Sequence, residues 1–174
     1  MTVEEVLEEA LKLEEDGRKF YLDGMNRVKN GLSKETLNRL ADEEFIHMER
    51  IREGYERIQE GKSFAWDSRN NIRKSSREFF ENVFTEAQKN KEELVTPASE
   101  ETDVLQTAMD LESKAHRFYF DQAKATSDEK VKEFLDFLAS EEYRHYNLLY
   151  NTLEYISNPT EWNYREEKPI FEGG

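Results

Sequence analysis

The sequence predicts an all-α protein: an antiparallel four-helix bundle made of two helical hairpins joined by a long crossover that contains a short helix. Three observations predict it. Apolar residues recur at helical spacing along two pairs of long segments. The second pair repeats the first at an offset of 98 residues. Each pair carries a Glu-x-x-His, Glu44-Phe45-Ile46-His47 and Glu142-Tyr143-Arg144-His145, that begins 30 residues after a glutamate set in an apolar stripe, Glu14 and Glu112.

The first helix begins at once, because Thr2 followed by Glu5 is a capping-box pattern. Its stripe runs Leu7, Leu11, Glu14, Tyr21, Met25, Val28, and it ends near Asn30-Gly31. Ser33 is the expected cap of the second helix, which carries Leu37, Leu40, Glu44, His47, Ile51, Tyr55 and Ile58 and stops at Gly61. Each helix is about 27 residues, or roughly 40 Å long. So short a gap between them folds the pair back as an antiparallel hairpin.

Residues 61–101 break the pattern. Phe64 and Trp66 follow Gly61 as aromatic anchors of a turn, and Phe80, Val83, Phe84 and Ala87 predict a short helix over 71–91. This crossover carries the chain from the end of the first hairpin to the start of the second, near Thr102, after Thr96-Pro97. The third helix carries Leu105, Ala108, Glu112, Ala115 and Tyr119. Ser127 is the expected cap of the fourth, with Val131, Leu135, Leu138, Glu142, His145, Leu149 and Ile156, and Asn158-Pro159 ends it. The division expected is a bundle over 1–158, with hairpins 2–60 and 102–157, and an irregular tail over 159–174. Trp162, Tyr164, Ile170 and Phe171 would lay that tail over the bundle or a neighbouring subunit.

The repeat is more than hydrophobic patterning. Leu13-Glu14 matches Leu111-Glu112, Phe20-Tyr21 matches Phe118-Tyr119, and Ala41, Glu43, Glu44 and His47 match Ala139, Glu141, Glu142 and His145. Like halves related by a pseudo-two-fold axis would bring Glu14, Glu44 and His47 opposite Glu112, Glu142 and His145.

Composition bounds the function. Charged residues are 37% of the 174 and the net charge is −14, which argues against nucleic acid and anionic membrane surfaces as partners. No run approaches the roughly 18 apolar residues of a membrane span. The acidic start Met1-Thr2-Val3-Glu4-Glu5 is unlike a secretory signal, so a cytoplasmic protein is expected. The absence of Cys excludes disulfides, thiolate metal sites and iron–sulfur clusters within these residues.

Glu and His at i and i+3 share a helix face and can hold one ion together. Four carboxylates in a helical core are costly without counter-charge, several kcal/mol each on the order given for desolvation. Two divalent cations would balance four Glu⁻. Oxygen donors with one nitrogen per ion and no sulfur suit iron or manganese. A single Glu-x-x-His is ordinarily a solvated pair; two of them at matched spacing behind buried glutamates are read as the six ligands of a two-metal site: Glu14, Glu44, His47, Glu112, Glu142 and His145. Tyr21 and Tyr119 lie two turns after Glu14 and Glu112, either as core packing or with hydroxyls bonded to ligand carboxylates across the bundle. Glu43 and Glu141 read as salt-bridge formers at the helix edge, His116, four residues after Glu112, as a surface residue or one that backs the ligands rather than a ligand itself, and Phe79-Phe80 with Val83-Phe84 as a packing stripe or part of a subunit interface.

These motifs, over roughly 2–59 and 102–157, resemble the ferritin-like di-iron carboxylate superfamily, and most closely its rubrerythrin-related branch. The resemblance implies terminal ligands at Glu14 and Glu112, bridging ligands at Glu44 and Glu142, nitrogen ligands at His47 and His145, and two iron ions as cofactor, with manganese an alternative. It implies reduction of hydrogen peroxide or dioxygen, or oxidation of ferrous iron. Two features depart from the branch. No cysteines are present to build the rubredoxin-like domain that rubrerythrins commonly add, so electrons are expected from an external carrier protein. Rubrerythrins also carry a further Glu three residues after the third-helix ligand; here that position is Ala115, and its mate is Gly17. The readings that follow are a di-iron oxidoreductase, iron handling without peroxidase turnover, or a metal-free structural bundle. Self-association as a homodimer is expected through the aromatics of the crossover and tail.

Overall fold

The computed structural model describes residues 1–67, 69, 74–89, 99–162 and 164–165. The described residues form five helices: α1 (Val3–Met25), α2 (Gly31–Gln59), α3 (Ser76–Lys89), α4 (Ser99–Ala125) and α5 (Glu129–Ser157). Helix α1 packs along α2 and α4 along α5; α2 also meets α5, and α1 meets α4, which closes a four-helix bundle. The crossover helix α3 lies against α2 and α5. Among the described residues no helix is long and apolar enough to cross a membrane.

Helix boundaries follow from caps. The Thr2 hydroxyl accepts from the Glu5 amide at 3.2 Å while the Glu5 carboxylate accepts from the Thr2 amide at 2.7 Å, a complete capping box. Two expected caps are corrected. Helix α2 is capped by Asn30, whose side chain accepts from the Leu32 amide at 2.9 Å, and Ser33 lies buried inside the first turn. The Asn30 amide in turn donates to buried Glu101 at 3.1 Å, so the α1–α2 loop is tied to the start of α4. Helix α5 is capped by Asp128, which accepts from the Lys130 and Val131 amides at 2.9 and 3.1 Å, one residue beyond Ser127. The crossover helix is shorter than expected, and Ser75 caps it through a reciprocal pair with Glu78. Helix α4 begins three residues before Thr102, and Thr96-Pro97 lies outside the described residues. Gly61 ends α2 with φ +71°, a left-handed turn that favours glycine.

The core has two apolar ends and a polar waist. One end gathers Leu32, Leu37, Leu40, Leu105, Leu148 and Leu149 with Phe79, Phe80 and Val83 of α3. The other gathers Leu7, Ile51, Phe134, Leu135 and Leu138. Phe64 and Trp66 anchor the turn after α2 there, with the Trp66 ring 4.7 Å from that of Phe134 and tilted against it by 57°. Tyr21 belongs to the first end and its repeat mate Tyr119 to the second.

The crossover and tail aromatics turn inward. Phe79, Phe80 and Val83 are buried in the chain's own core, Trp162 packs 5.0 Å from Phe80, and Asn151 is hydrogen bonded to the Arg165 backbone. The described part of the tail therefore lies over its own bundle; Ile170 and Phe171 lie outside the described residues. Among the described residues the large apolar side chains left exposed are Met1, Leu22, Phe45, Ile46 and Phe120, not those expected at a subunit interface.

Candidate metal centre

The waist holds the charged residues of the repeat. Helix α1 supplies Glu14, α2 supplies Glu44 and His47, α4 supplies Glu112, and α5 supplies Glu142 and His145. All six are at most 3% exposed. Helical spacing sets their arrangement: each Glu-x-x-His stacks its two side chains on one face, and the antiparallel partner helix brings its single glutamate to the same level.

The donor atoms fall into two groups. Glu14, Glu44, His47 and Glu142 each offer an atom within 4.8 Å of the others, and so do Glu44, Glu112, Glu142 and His145. In the first group His47 Nδ1 lies 3.0 Å from Glu14 Oε2, 3.2 Å from Glu44 Oε2 and 3.7 Å from Glu142 Oε1. In the second, His145 Nδ1 lies 3.3 Å from Glu142 Oε2, 3.4 Å from Glu44 Oε1 and 3.6 Å from Glu112 Oε1. Glu44 and Glu142 thus turn one oxygen toward each histidine. Glu14 belongs to one group alone, and Glu112 to the other.

These groups suit a cation. His145 Nδ1 and Glu142 Oε1 are buried with no hydrogen-bond partner, a costly state for polar atoms at this depth. Each group pairs three carboxylate oxygens with one imidazole nitrogen and no sulfur, a donor set of the kind iron and manganese accept.

The electrostatics of the metal-free waist follow from crowding. Burial, reinforced by the charge on Glu14, pushes the Glu44 carboxyl up to about 8. Burial and the charges of Glu14, Glu44 and Glu112 hold Glu142 well above the carboxylate range. Burial alone would raise Glu14 too, but its hydrogen bond with Glu44 and the His47 charge bring it down to about 2. Glu112 is lowered against the burial penalty by the charge of His145 and a hydrogen bond with Glu142. Burial disfavours both imidazolium ions, yet Glu14 holds His47, and Glu112 holds His145, well above the usual value. Without metal, two ionised carboxylates therefore face two imidazolium ions, and the remaining two carboxyls keep their protons.

The two tyrosines cross the bundle. The Tyr21 hydroxyl on α1 donates to Glu112 on α4, and the Tyr119 hydroxyl on α4 donates to Glu14 on α1. Burial and the surrounding glutamate charges hold both phenols protonated, so they stay donors. A cavity of about 100 Å³ between α1 and α4 reaches Glu14, Glu44, Glu112 and Glu142 beside Gly17 and Ala115. A Cβ on Gly17 would lie 3.9 Å from Glu44 Oε1, so the small residues leave this side open.

Other residues fall differently. His116 is outside both groups and its Nδ1 is bonded to the Ala139 carbonyl oxygen at 2.6 Å. Glu43 and Glu141 do form salt bridges, both to Arg144, at 3.0 and 2.6 Å. Neither Glu141 nor Arg144 is at an edge: they are 3% and 7% exposed and sit behind the histidines. The sequence carried one signal of this, the repetition of Glu43 at Glu141.

Comparison with known proteins agrees with this arrangement. The rubrerythrin family model matches residues 5–154. A solved structure described as a hypothetical protein from Pyrococcus furiosus superposes with a TM-score of 0.65, covering 93% of this chain and 94% of its own at 24% identity, a likeness of fold. No match was found among curated proteins. With the match running through both hairpins and all six waist residues, the chain belongs to the rubrerythrin family.

Proposed function

We propose that this chain is a two-metal protein that holds two iron ions, manganese being the alternative, and reduces hydrogen peroxide or dioxygen with electrons from an external carrier. The observation that carries the reading is the pair of buried donor groups sharing Glu44 and Glu142. In this reading Glu14 and His47 would hold one ion, Glu112 and His145 would hold the other, and Glu44 and Glu142, which belong to both groups, would be shared between them. Bound iron would supply reversible one-electron chemistry toward the oxidant.

The chain's own residues do the rest. Four carboxylates would balance the charge of the two ions. The Tyr21 and Tyr119 hydroxyls hold the Glu112 and Glu14 oxygens from the opposite helix. The cavity beside Gly17 and Ala115 gives a small oxidant a way to the carboxylates, while the apolar ends of the core keep bulk water out. A bundle domain over 1–158 with a tail over 159–174, a cytoplasmic setting and a homodimer complete the reading; a solely monomeric mass at micromolar concentration would remove the dimer.

A second reading is ferrous iron oxidation without peroxidase turnover. Gly17 and Ala115 favour it, since neither half carries a further glutamate three residues after Glu14 or Glu112. One experiment separates them: protein loaded anaerobically with ferrous iron is mixed with peroxide or dioxygen, and absorbance is followed with and without a small electron donor. Repeated oxidation and re-reduction at a fixed iron content supports the first reading. Continued oxidation of added iron into a retained mineral supports the second. No oxidation by either oxidant refutes both.

A further inference from the structure

We propose that Arg144 is a positioning residue for both histidines: its guanidinium holds the Glu43 and Glu141 carboxylates behind the rings as acceptors for the two Nε2–H groups. The inference rests on the two-metal reading and adds the device that orients its nitrogen ligands.

An imidazole has two nitrogens with opposite tasks. His47 and His145 both turn Nδ1 inward, toward three carboxylate oxygens each. A neutral ring that offers its Nδ1 lone pair to a cation carries its proton on Nε2. That N–H points away from the donor groups and, being buried, requires an acceptor. The rings stack at 5.4 Å and 16°, and both Nε2 atoms, on the side away from the donor groups, are buried without a hydrogen-bond partner.

Glu141 and Glu43 stand on that side. Glu141 Oε2 lies 3.9 Å from His47 Nε2, an ion-pair distance a small ring tilt would close to a hydrogen bond. A Glu43 oxygen and one nitrogen of each histidine lie within 4.8 Å of one another. The two glutamates are repeat mates, one behind each half of the site. Arg144 joins them: its Nη2 reaches Glu43 Oε2 at 3.0 Å on α2 and Glu141 Oε2 at 2.6 Å on α5. The repeat mate of Arg144 is Ile46, which is exposed, so a single arginine serves both halves.

Arg144 is itself held. Its Cζ lies 4.2 Å over the ring of Phe79, and that ring is 6.2 Å from His145. The crossover helix α3 thereby closes the outer face of the histidine pair. The trio Glu43, His47 and His145 is not a third metal site on this account, because the guanidinium already supplies the cation there and would repel another.

The test uses full-length protein, Co²⁺ as the affinity probe and Zn²⁺ for nitrogen-15 NMR of the imidazoles. Arg144→Lys keeps the charge but lacks the planar fork, and Arg144→Met removes both. We expect Co²⁺ binding to weaken by about 10- to 100-fold in each. In Zn²⁺-loaded wild type both rings should carry slowly exchanging Nε2–H protons, and their exchange should quicken in Arg144→Lys. The metal-free melting temperature identifies a variant that fails by misfolding, and the wild-type NMR result stands without any variant. Co²⁺ affinities within twofold of wild type in both variants, or Nδ1–H rings in the Zn²⁺-loaded wild type, would overturn this inference alone. Wild-type protein that takes up no Co²⁺ would overturn the two-metal reading and this inference with it.

Discussion

Metal uptake by this waist would be a proton exchange, and its size can be worked out from the four raised groups. Without metal at neutral pH, Glu44, Glu142, His47 and His145 hold their protons. As ligands all four must be deprotonated. Loading two divalent ions should therefore release about four protons per chain near pH 7, about two per ion. The apparent affinity per ion should rise about 100-fold per pH unit below the raised values, or about 2.7 kcal/mol per unit. Calorimetry with Co²⁺ in buffers of different ionisation enthalpy counts the protons directly. The same groups set metal-free stability. Glu44 goes from 4.5 in the unfolded chain to about 8 when folded, so between those values the folded chain binds more protons and stability falls as pH rises. The raised histidines act in the same sense: their contribution is present below 6.5 and is lost as pH climbs through their folded values. Glu14, lowered to about 2, contributes stability above 4.5 that is lost as pH falls toward 2. The metal-free melting temperature should therefore decline from pH 6 to pH 8, and metal should abolish the decline. Release of fewer than about one proton per ion, or a metal-free melting temperature that climbs over that range, would refute the electrostatic argument.

Four substitutions extend the account. Glu44→Gln copies the protonated carboxyl, so the metal-free melting temperature at pH 8 should hold or rise while metal content falls from about two ions per chain to one or fewer, measured by elemental analysis. Glu112→Gln touches one donor group and should spare the ion at the other. Tyr21→Phe leaves the buried Glu112 carboxylate short of a donor and should cost the metal-free protein about 1.5–3 kcal/mol in denaturant unfolding, with a smaller loss when metal is bound. Gly54→Ala would set a Cβ 2.3 Å from Phe64 Cε2; displacing that ring should cost about 1–3 kcal/mol and leave metal content unchanged.

Much of the waist was legible in the sequence because helical geometry ties spacing to position. Glu14 and Glu112, 30 residues before each Glu-x-x-His, had to return to the same level across an antiparallel hairpin, and the repeat at 98 residues placed the halves face to face. The bond from each tyrosine to the opposite glutamate follows from the same symmetry. What stayed hidden depended on contacts between distant elements. Ser33 is the expected cap, but Asn30 takes the Leu32 amide, and its own amide is tied to Glu101, 71 residues away. Ser127 is the expected cap of α5, but its neighbour Asp128 reaches two amides and holds it. Nothing local marks Arg144 as buried; its place follows from α2 bringing Glu43 beside it. The aromatics of the crossover looked like an interface because nothing local says that α3 folds onto its own bundle and α5 receives it.

The central claim is that this waist holds two ions, and metal stoichiometry tests it most directly. Protein freed of metal, reconstituted anaerobically with ferrous iron and stripped of loosely bound ions should retain about two irons per chain. Retention of less than about 0.2 iron per chain, with manganese and cobalt equally absent after the same treatment, would contradict it and leave a helical bundle with a buried charge network.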